Sequence, residues 1–413
     1  MKIYLVGGAV RDRILGKTVQ DRDWVVVGSS ADEMSRMGYV RVGKDFPVFL
    51  HPETKEEYAL ARTERKSGHG YYGFEIDSDP NVTLEEDLAR RDLTINAIAM
   101  DEENRFIDPY GGVKDIENRV LKHVTTAFAE DPLRVLRVAR FKSRLHHLGF
   151  NIDASTIKLM AEISKSGELK TLAEERVWCE LHKALMEITP SQFFLTLKEC
   201  GALAVLFPEL ENLFGVAQTK EHHPEVDTGI HTMMVLDQSA KLQAKPEVRF
   251  AALVHDLGKA DTPPDKLPRH IGHEEKSVKR VNQLCSRLKV PKVYHELSVL
   301  VARYHTHCHR AFELKAGTVL NLFESIDAFR RPERLSQFLL ACKADALGRG
   351  NASNNKYKQL EYLLAAFDVA KSVDVKPIIE NGVTGSDIRL QLKRKRSQAI
   401  AILKNKYSQT AEL

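Results

Sequence analysis

The sequence predicts an α+β chain, a mixed-sheet head with helices followed by a mostly α-helical remainder. Short apolar runs separated by turn residues fill the first hundred positions: Ile3–Val6, the stretch 21–27, 39–42, 48–50 and 56–61. Runs of that length suit strands. From Glu130 onward the apolar spacing turns helical and stays so to the end. At 413 residues the chain is long enough for two or more domains of about 150 residues. We place segment boundaries at 1–125, 126–220, 221–330 and 331–413.

The N-terminal strand ends in Gly7-Gly8, and Arg11 follows three residues later. Adjacent glycines let backbone N–H groups approach a ligand closely, as in phosphate cradles, and a nearby guanidinium pairs with phosphate oxygens. Asp21-x-Asp23 then opens the run Trp24–Gly28. In a strand from 21 to 27 the two carboxylates would share a face, where they repel unless a cation lies between them. Mg²⁺ beside nucleotide phosphates suits that geometry. A plain turn and an exposed strand end are the ordinary readings of each half. Together, about a dozen residues apart, they point to metal-assisted nucleotidyl transfer. Glu57, in a later β-like run, is a candidate third carboxylate.

Ser30 suits the N-cap of a short helix near 31–37. Glu64–Phe74, rich in Gly and Tyr, reads as a functional loop. In Leu84–Met100 acidic residues precede Arg90-Arg91, as expected for a helix that breaks near Asp92. The arginines form either a solvated pair or a triphosphate site, with the polar groups after them available to a ribose. Asp108–Gly112 reads as a tight structural turn. Glu130–Phe141 reads as a helix with Pro132 in its first turn. Glu130, Arg134 and Arg137 then share a face beside Asp131, with Val135, Leu136 and Ala139 turned to a core. Such a row forms either salt bridges or, with Asp131 and Arg134 rigidly placed, an acceptor and a forked donor matching a nucleobase edge.

The second half places His222, His223 and His231 ahead of His255-Asp256, which follows an apolar run and precedes Gly258-Lys259. Mixed imidazole and carboxylate ligands suit a divalent metal that activates water against phosphate esters. Lys393–Arg396 is the densest basic run, either a solvated helix face or a sequence-independent contact for phosphates.

Composition sets the remaining bounds. Hydrophobic residues make up 43% and charged residues 29%, as in ordinary globular proteins. No apolar run approaches ~20 residues, which argues against a membrane-spanning helix. A strand-like start leads us to expect no signal peptide. Five scattered cysteines without a C-x-x-C pair read as reduced thiols in a cytoplasmic protein. A net charge of +4 permits a nucleic-acid partner without requiring one.

Five motifs, Gly7–Asp12, Asp21-x-Asp23, Arg90–Ala99, Asp108–Gly112 and Ala129–Phe141, stand in the order found in class II tRNA nucleotidyltransferases. The chain thus resembles these CCA-adding enzymes of the polymerase-β-like superfamily. With its His-Asp motif, similar to HD phosphohydrolases, it resembles their bacterial multifunctional members over almost its whole length. The resemblance implies a nucleotidyltransferase head, a helical neck, an HD domain and a helical tail. It implies addition of the 3′-terminal CCA of tRNA from CTP and ATP, with Asp21 and Asp23 holding Mg²⁺. Gly8, Arg11, Arg91, Arg137 and Arg140 would hold the nucleotide, and Asp131 and Arg134 would read its base. Ala173–Arg176 matches the next family motif and is expected to be structural. In the HD domain His231, His255, Asp256 and, less securely aligned, Asp345 would bind a divalent transition metal such as Ni²⁺. His255 and Asp256 would be central to 2′,3′-cyclic phosphodiesterase, 2′-nucleotidase and phosphatase activities. His273 and His305 sit where some HD enzymes place further ligands, though a surface position is an equal expectation, and His307 and His309 read as surface residues. A poly(A) polymerase, or an enzyme adding only part of CCA, is the nearest alternative. A monomer is expected, with a dimer left open.

Overall fold

Strand Lys2–Val6 lies inside a seven-stranded mixed sheet and carries the glycine pair to one end of it. The computed structural model describes residues 1–19, 21–42, 48–66, 74–77, 79–220, 225–349 and 357–411. His222, His223, most of the loop expected at 64–74 and most of 348–355, a stretch whose Gly, Ser and Asn residues read as a polar loop, therefore lie outside the described residues. The chain separates into two compact units, Met1–Pro208 and Glu209–Leu413.

In the first unit, Lys2–Val6 runs antiparallel to Asp23–Val27, with Val6 opposite Asp23. Asp23–Val27 in turn runs parallel to Glu57–Leu60, with Asp23 level with Glu57. This register brings the glycine turn, Asp23 and Glu57 to the same end of the sheet. Alternation along Asp23–Val27 sends Val25 into one core cluster, with Val6, Leu88 and Ala97, and Val26 into another, with Met34, Phe49 and Tyr58. Asp23 has the parity of Val25 and so faces the Leu88 side. The strand begins at Asp23, so Asp21 lies ahead of it rather than inside it, contrary to the reading of 21–27 as one strand.

Local signals hold where a capping residue or turn encodes them. Ser30 caps Ala31–Arg36 by accepting from the Glu33 N–H, and Thr83 with Glu86 forms a reciprocal capping box on Leu84–Ala89. The turn at Asp108–Gly112 is structural as expected: Asp108 accepts from the N–H groups of Gly112 and Val113 at 2.7 and 2.8 Å. Gly112 packs so closely that a Cβ there would lie 2.2 Å from the Thr94 carbonyl oxygen.

The helix after the head starts later than expected. Thr126–Glu130 forms a 3-10 turn, Pro132 is the N-cap, and the α-helix spans Leu133–Leu145. Glu130 is therefore not on the arginine face, because the proline pushes the residue before it, Asp131, out of the helical region to φ −112° and ψ 103°. Val135, Leu136 and Ala139 are fully buried, as their spacing predicts. This helix packs on Glu174–Leu185 and Ser191–Glu199.

The second unit is helical. Thr228–Lys241, Pro246–Val254, His273–Arg287, Lys292–His309 and Pro332–Leu347 pack together, and Lys358–Lys371 and Ser386–Ala411 complete its large apolar core. The basic run lies on Ser386–Ala411 and is only partly a solvated face. Lys393 pairs with Glu324 at 2.8 Å, and the Arg396 guanidinium lies 4.0 Å above the Phe329 ring. Among the described residues no helix is long and apolar enough to cross a membrane.

Candidate active sites

At the sheet end marked by Gly7 and Asp23 a cavity of about 510 Å³ opens, lined by nine arginines and three aspartates. It receives Gly8, Arg11, Asp23, Arg91, Asp131, Arg134, Arg137 and Arg140, all expected from the sequence. Gly7 turns the chain into helix Gly8–Ile14 with φ of 70°, and a Cβ there would press to 3.0 Å from an Arg91 guanidinium nitrogen. Only glycine adopts that conformation without strain. Asp21 is exposed, but its charge reaches Asp23. Desolvation by the surrounding walls raises the Asp23 carboxyl, Arg91 opposes this, and the Asp21 carboxylate adds to the rise. The pair thus has the mutual repulsion that a divalent cation relieves.

The arginines are held in place by buried acids and by one aromatic ring. Arg11, 2% exposed, donates to Asp12 at 2.9 Å and to the Asn96 side-chain oxygen at 2.5 Å. Fully buried Asp87 accepts from both Arg90 and Arg91, so these are braced rather than a solvated pair. Arg140 donates to Glu180 at 2.7 Å, and Arg137 donates to Asp92 at 2.8 Å. Arg11, Arg137 and Arg140 lie 5.3, 6.0 and 4.9 Å from the centre of the Phe141 ring. Clustered like charges are thereby kept ready for a polyanion.

Asp92 makes a pH-dependent contribution. Burial would raise its carboxyl, but Arg137 and Asn96 hold it far below the usual carboxylate range. A depressed carboxylate stabilises the fold fully above its unfolded pKa, and that contribution is lost as pH falls through the folded value. In urea unfolding, the advantage of wild type over Asp92→Asn therefore narrows as pH drops from about 4 to about 2. An advantage that stays constant over that window would show that the Asp92 charge does not stabilise the fold.

Asp131 and Arg134 are both engaged. Asp131 accepts from the Leu133 N–H and from Arg176 at 3.1 Å, so Arg176 reaches the site instead of being only neck scaffold. Arg134 donates to the carbonyls of Ala127 and Arg90 at 2.9 and 2.6 Å. Sequence reasoning passed over Arg62, Arg144, Arg176 and Phe141, which also line the cavity. Arg144 was findable, because it lies seven residues after Arg137 and four after Arg140 on one helix.

The second unit brings His231, His255, Asp256 and Asp345 together, as expected, and adds His273 and His305. Three overlapping ligand groups, each with its ligand atoms within 4.8 Å, are His231/His255/Asp256, His255/His305/Asp345 and Asp256/His273/His305. His273 and His305 are 9% and 3% exposed and so are not surface residues. His309 is not a surface residue either: it follows His305 by one helical turn and its Nε2 is 2.6 Å from Asp345 Oδ2. His307 is half-buried against Tyr304.

The four inner imidazoles share one orientation. Nδ1 of His255 is 2.7 Å from the Ala252 carbonyl, that of His273 2.7 Å from the His270 carbonyl, and that of His305 3.1 Å from the Val301 carbonyl. Nδ1 of His231 faces a Glu225 carboxylate oxygen at 2.8 Å. Peptide carbonyls behind Nδ1 of His255, His273 and His305 take the proton of a neutral ring there, so that each Nε2 would turn a lone pair inward once a metal displaces the proton that His255 carries without one. Nε2 of His273 and of His305 then meet at 3.2 Å, a repulsive contact unless a cation joins them. Among the described residues, buried His255 Nε2 and Asp256 Oδ1 lack hydrogen-bond partners. Burial would lower His255 and raise Asp256 and Asp345; the three hold one another ionised instead, with His255 pushed up to about 9. These are the features of a divalent-metal site, and residues of this chain orient its ligands from outside.

The sequence matches the family models "Poly A polymerase head domain" over residues 3–122, "Probable RNA and SrmB- binding site of polymerase A" over 149–214 and "HD domain" over 228–348. It is 54% identical over 413 residues to the "Multifunctional CCA protein" of Shewanella frigidimarina, covering 100% of both chains. The chain belongs to the multifunctional CCA proteins. The Thioalkalivibrio sulfidiphilus member is 55% identical over 404 residues, covering 98% of this chain and 99% of its own. In fold, the chain is similar to the Thermotoga maritima CCA-adding enzyme complexed with tRNA, with a TM-score of 0.64 and 20% identity over 97% of this chain and 87% of that one. Family membership thus joins a head of the polymerase type to an HD domain in one chain; the arginine-lined cavity begins in the head match and extends beyond it to Asp131–Arg144 and Arg176, and the histidine cluster falls inside the HD match.

Proposed function

We propose that this multifunctional CCA protein builds and repairs the 3′-terminal CCA of tRNA from CTP and ATP, releasing pyrophosphate, and hydrolyses phosphate esters in its HD domain. The observation that carries the first activity is the arginine-lined cavity, where strand register sets Asp23 beside the glycine turn. Gly8, Arg11, Arg91, Arg137 and Arg140 bind the triphosphate and sugar by charge-assisted hydrogen bonds. Asp21 and Asp23 hold Mg²⁺. When bound, it supplies charge neutralisation at the α-phosphate and acidity to the tRNA 3′-hydroxyl. Asp131 and Arg134 offer an acceptor and a forked donor to the base. Their present partners, Arg176 and two backbone carbonyls, hold them in a fixed relative position. Arg62 and Arg144 add positive charge to the same cavity.

In the HD domain His231, His255, Asp256 and Asp345 hold a divalent transition metal such as Ni²⁺, and His273 and His305 extend the ligand set toward a second ion. Bound metal supplies Lewis acidity to a phosphate ester and lowers the pKa of water. Substrates are 2′,3′-cyclic phosphates, 2′-nucleotides and small phosphate esters. A tRNA substrate and the lack, among the described residues, of a helix able to cross a membrane support a cytoplasmic location.

The decisive assay supplies Mg²⁺, CTP and ATP to a tRNA transcript lacking its last three nucleotides. Addition of C, C and A followed by a stop is expected. A lengthening A tail, or a stop after CC, would overturn the reading of Asp131 and Arg134 as a complete CCA template.

A further inference from the structure

Asp345 is gripped from outside by a residue that does not behave like the four inner histidines. Its Oδ1 is 3.0 Å from His231 Nε2, and its Oδ2 is 2.6 Å from His309 Nε2 and 3.6 Å from His255 Nε2. The inner histidines back their Nδ1 against acceptors. His309 instead has the Tyr357 hydroxyl at its Nδ1, 2.8 Å away. A phenol supplies a donor there, which the other four lack. Burial pushes the Tyr357 phenol far up, so it remains a neutral O–H. Cys308 Sγ lies farther from that hydroxyl, at 3.3 Å, and is the weaker acceptor. The proton order that satisfies every atom is Tyr357 O–H donating to His309 Nδ1, and His309 Nε2–H donating to Asp345 Oδ2. The start of helix Lys358–Lys371 fixes His309 by its backbone as well, since Gln359 donates to the His309 carbonyl at 3.2 Å.

We propose that His309 and Tyr357 form an outer hydrogen-bond relay that positions Asp345 for metal, His309 being a positioning residue and not itself a ligand. This rests on the reading of the HD cluster as a metal centre. The relay holds one Asp345 oxygen by a hydrogen bond and aims the carboxylate at His231 and His255. Without it the side chain could rotate, and part of the ligand field would be lost. Outer partners of this kind typically change metal affinity by about 10–100-fold.

The test uses full-length protein and Co²⁺ as probe, with affinity from calorimetry and ligand field from visible absorption. His309→Leu weakens Co²⁺ binding by about 10-fold or more, and Tyr357→Phe weakens it in the same direction. His309→Gln, whose amide N–H can reach Asp345 from a similar position, restores much of the loss, which a purely space-filling role would not predict. Circular dichroism confirms that each variant is folded, and Tyr357→Phe, which removes one oxygen, serves if His309→Leu is not. Equal Co²⁺ affinity in wild type, His309→Leu and Tyr357→Phe overturns the relay while leaving the metal centre standing. No Co²⁺ binding by wild type overturns the metal centre itself. A change of band shape in His309→Leu that Tyr357→Phe does not share would make His309 a ligand and overturn its positioning role.

Discussion

Asp23→Asn stops nucleotide addition, lowering CTP incorporation into tRNA by about 10³-fold or more, a loss of roughly 4 kcal/mol of transition-state stabilisation. The expectation follows from where the sheet places this residue. Val6 opposite Asp23, and Asp23 level with Glu57, put a carboxylate at the edge of an arginine-lined cavity, with Asp21 near enough to repel it. Asparagine keeps the shape and removes the charge, so the arginines still bind nucleotide while cation binding fails. The HD phosphatase activity should be unchanged, since its ligands lie in the other unit. The check is radiolabelled CTP incorporation beside phosphatase turnover on one preparation. Substantial incorporation by the variant would remove Asp23 from the metal site.

His255→Ala produces the converse. It removes an inward Nε2 shared by two of the three ligand groups, and phosphodiesterase and phosphatase turnover should fall by at least about 10²-fold while CCA addition continues. It also leaves Asp256 and Asp345, 2% and 4% exposed, with one fewer buried cation beside them in the metal-free protein. Breaking a buried ion pair costs about 3–5 kcal/mol, so the apo variant should unfold at distinctly lower urea concentration. Asp256→Asn, which keeps the volume, should also lose turnover, and because it breaks the buried Lys259–Asp256 pair at 2.7 Å it should lower stability as well. Phosphatase turnover surviving in both variants would place that chemistry elsewhere.

What the sequence made legible was local. The glycine pair, the Ser30 cap and the core-facing spacing of Val135, Leu136 and Ala139 are properties of neighbouring residues, readable from period and turn chemistry. The sequence joins Asp23 with Gly7 only by chemistry and spacing; the strand register brings them to one end of the sheet. What escaped depends on contacts that no local period encodes. Arg176 meets Asp131 across 45 positions, and His309 meets Asp345 across 36. His309 looked like a surface residue because it is the last residue of an amphipathic helix, and only the packing of Pro332–Leu347 shows that its face is occupied. Glu225 carried no signal beyond its charge, yet it backs His231 at 2.8 Å. Glu130 differs for the opposite reason: its regular spacing runs across Pro132, at which the helix begins.

The outward anchoring of the inner histidines bears on how this centre can change over generations. Three of the four rings are oriented by peptide carbonyls of their own or adjacent turns, Ala252, His270 and Val301. No single-nucleotide change can delete a carbonyl, so mutation cannot strip those three of their support while the helices remain. His231 instead has a side chain beside its Nδ1, the Glu225 carboxylate at 2.8 Å. The mutational target for losing ligand orientation is therefore small and uneven: drift around His255, His273 and His305 is tolerated, and the centre is most vulnerable at the short approach to helix Thr228–Lys241. Descendants of this chain that abandon the phosphohydrolase should show their first substitutions there or in the ligands themselves.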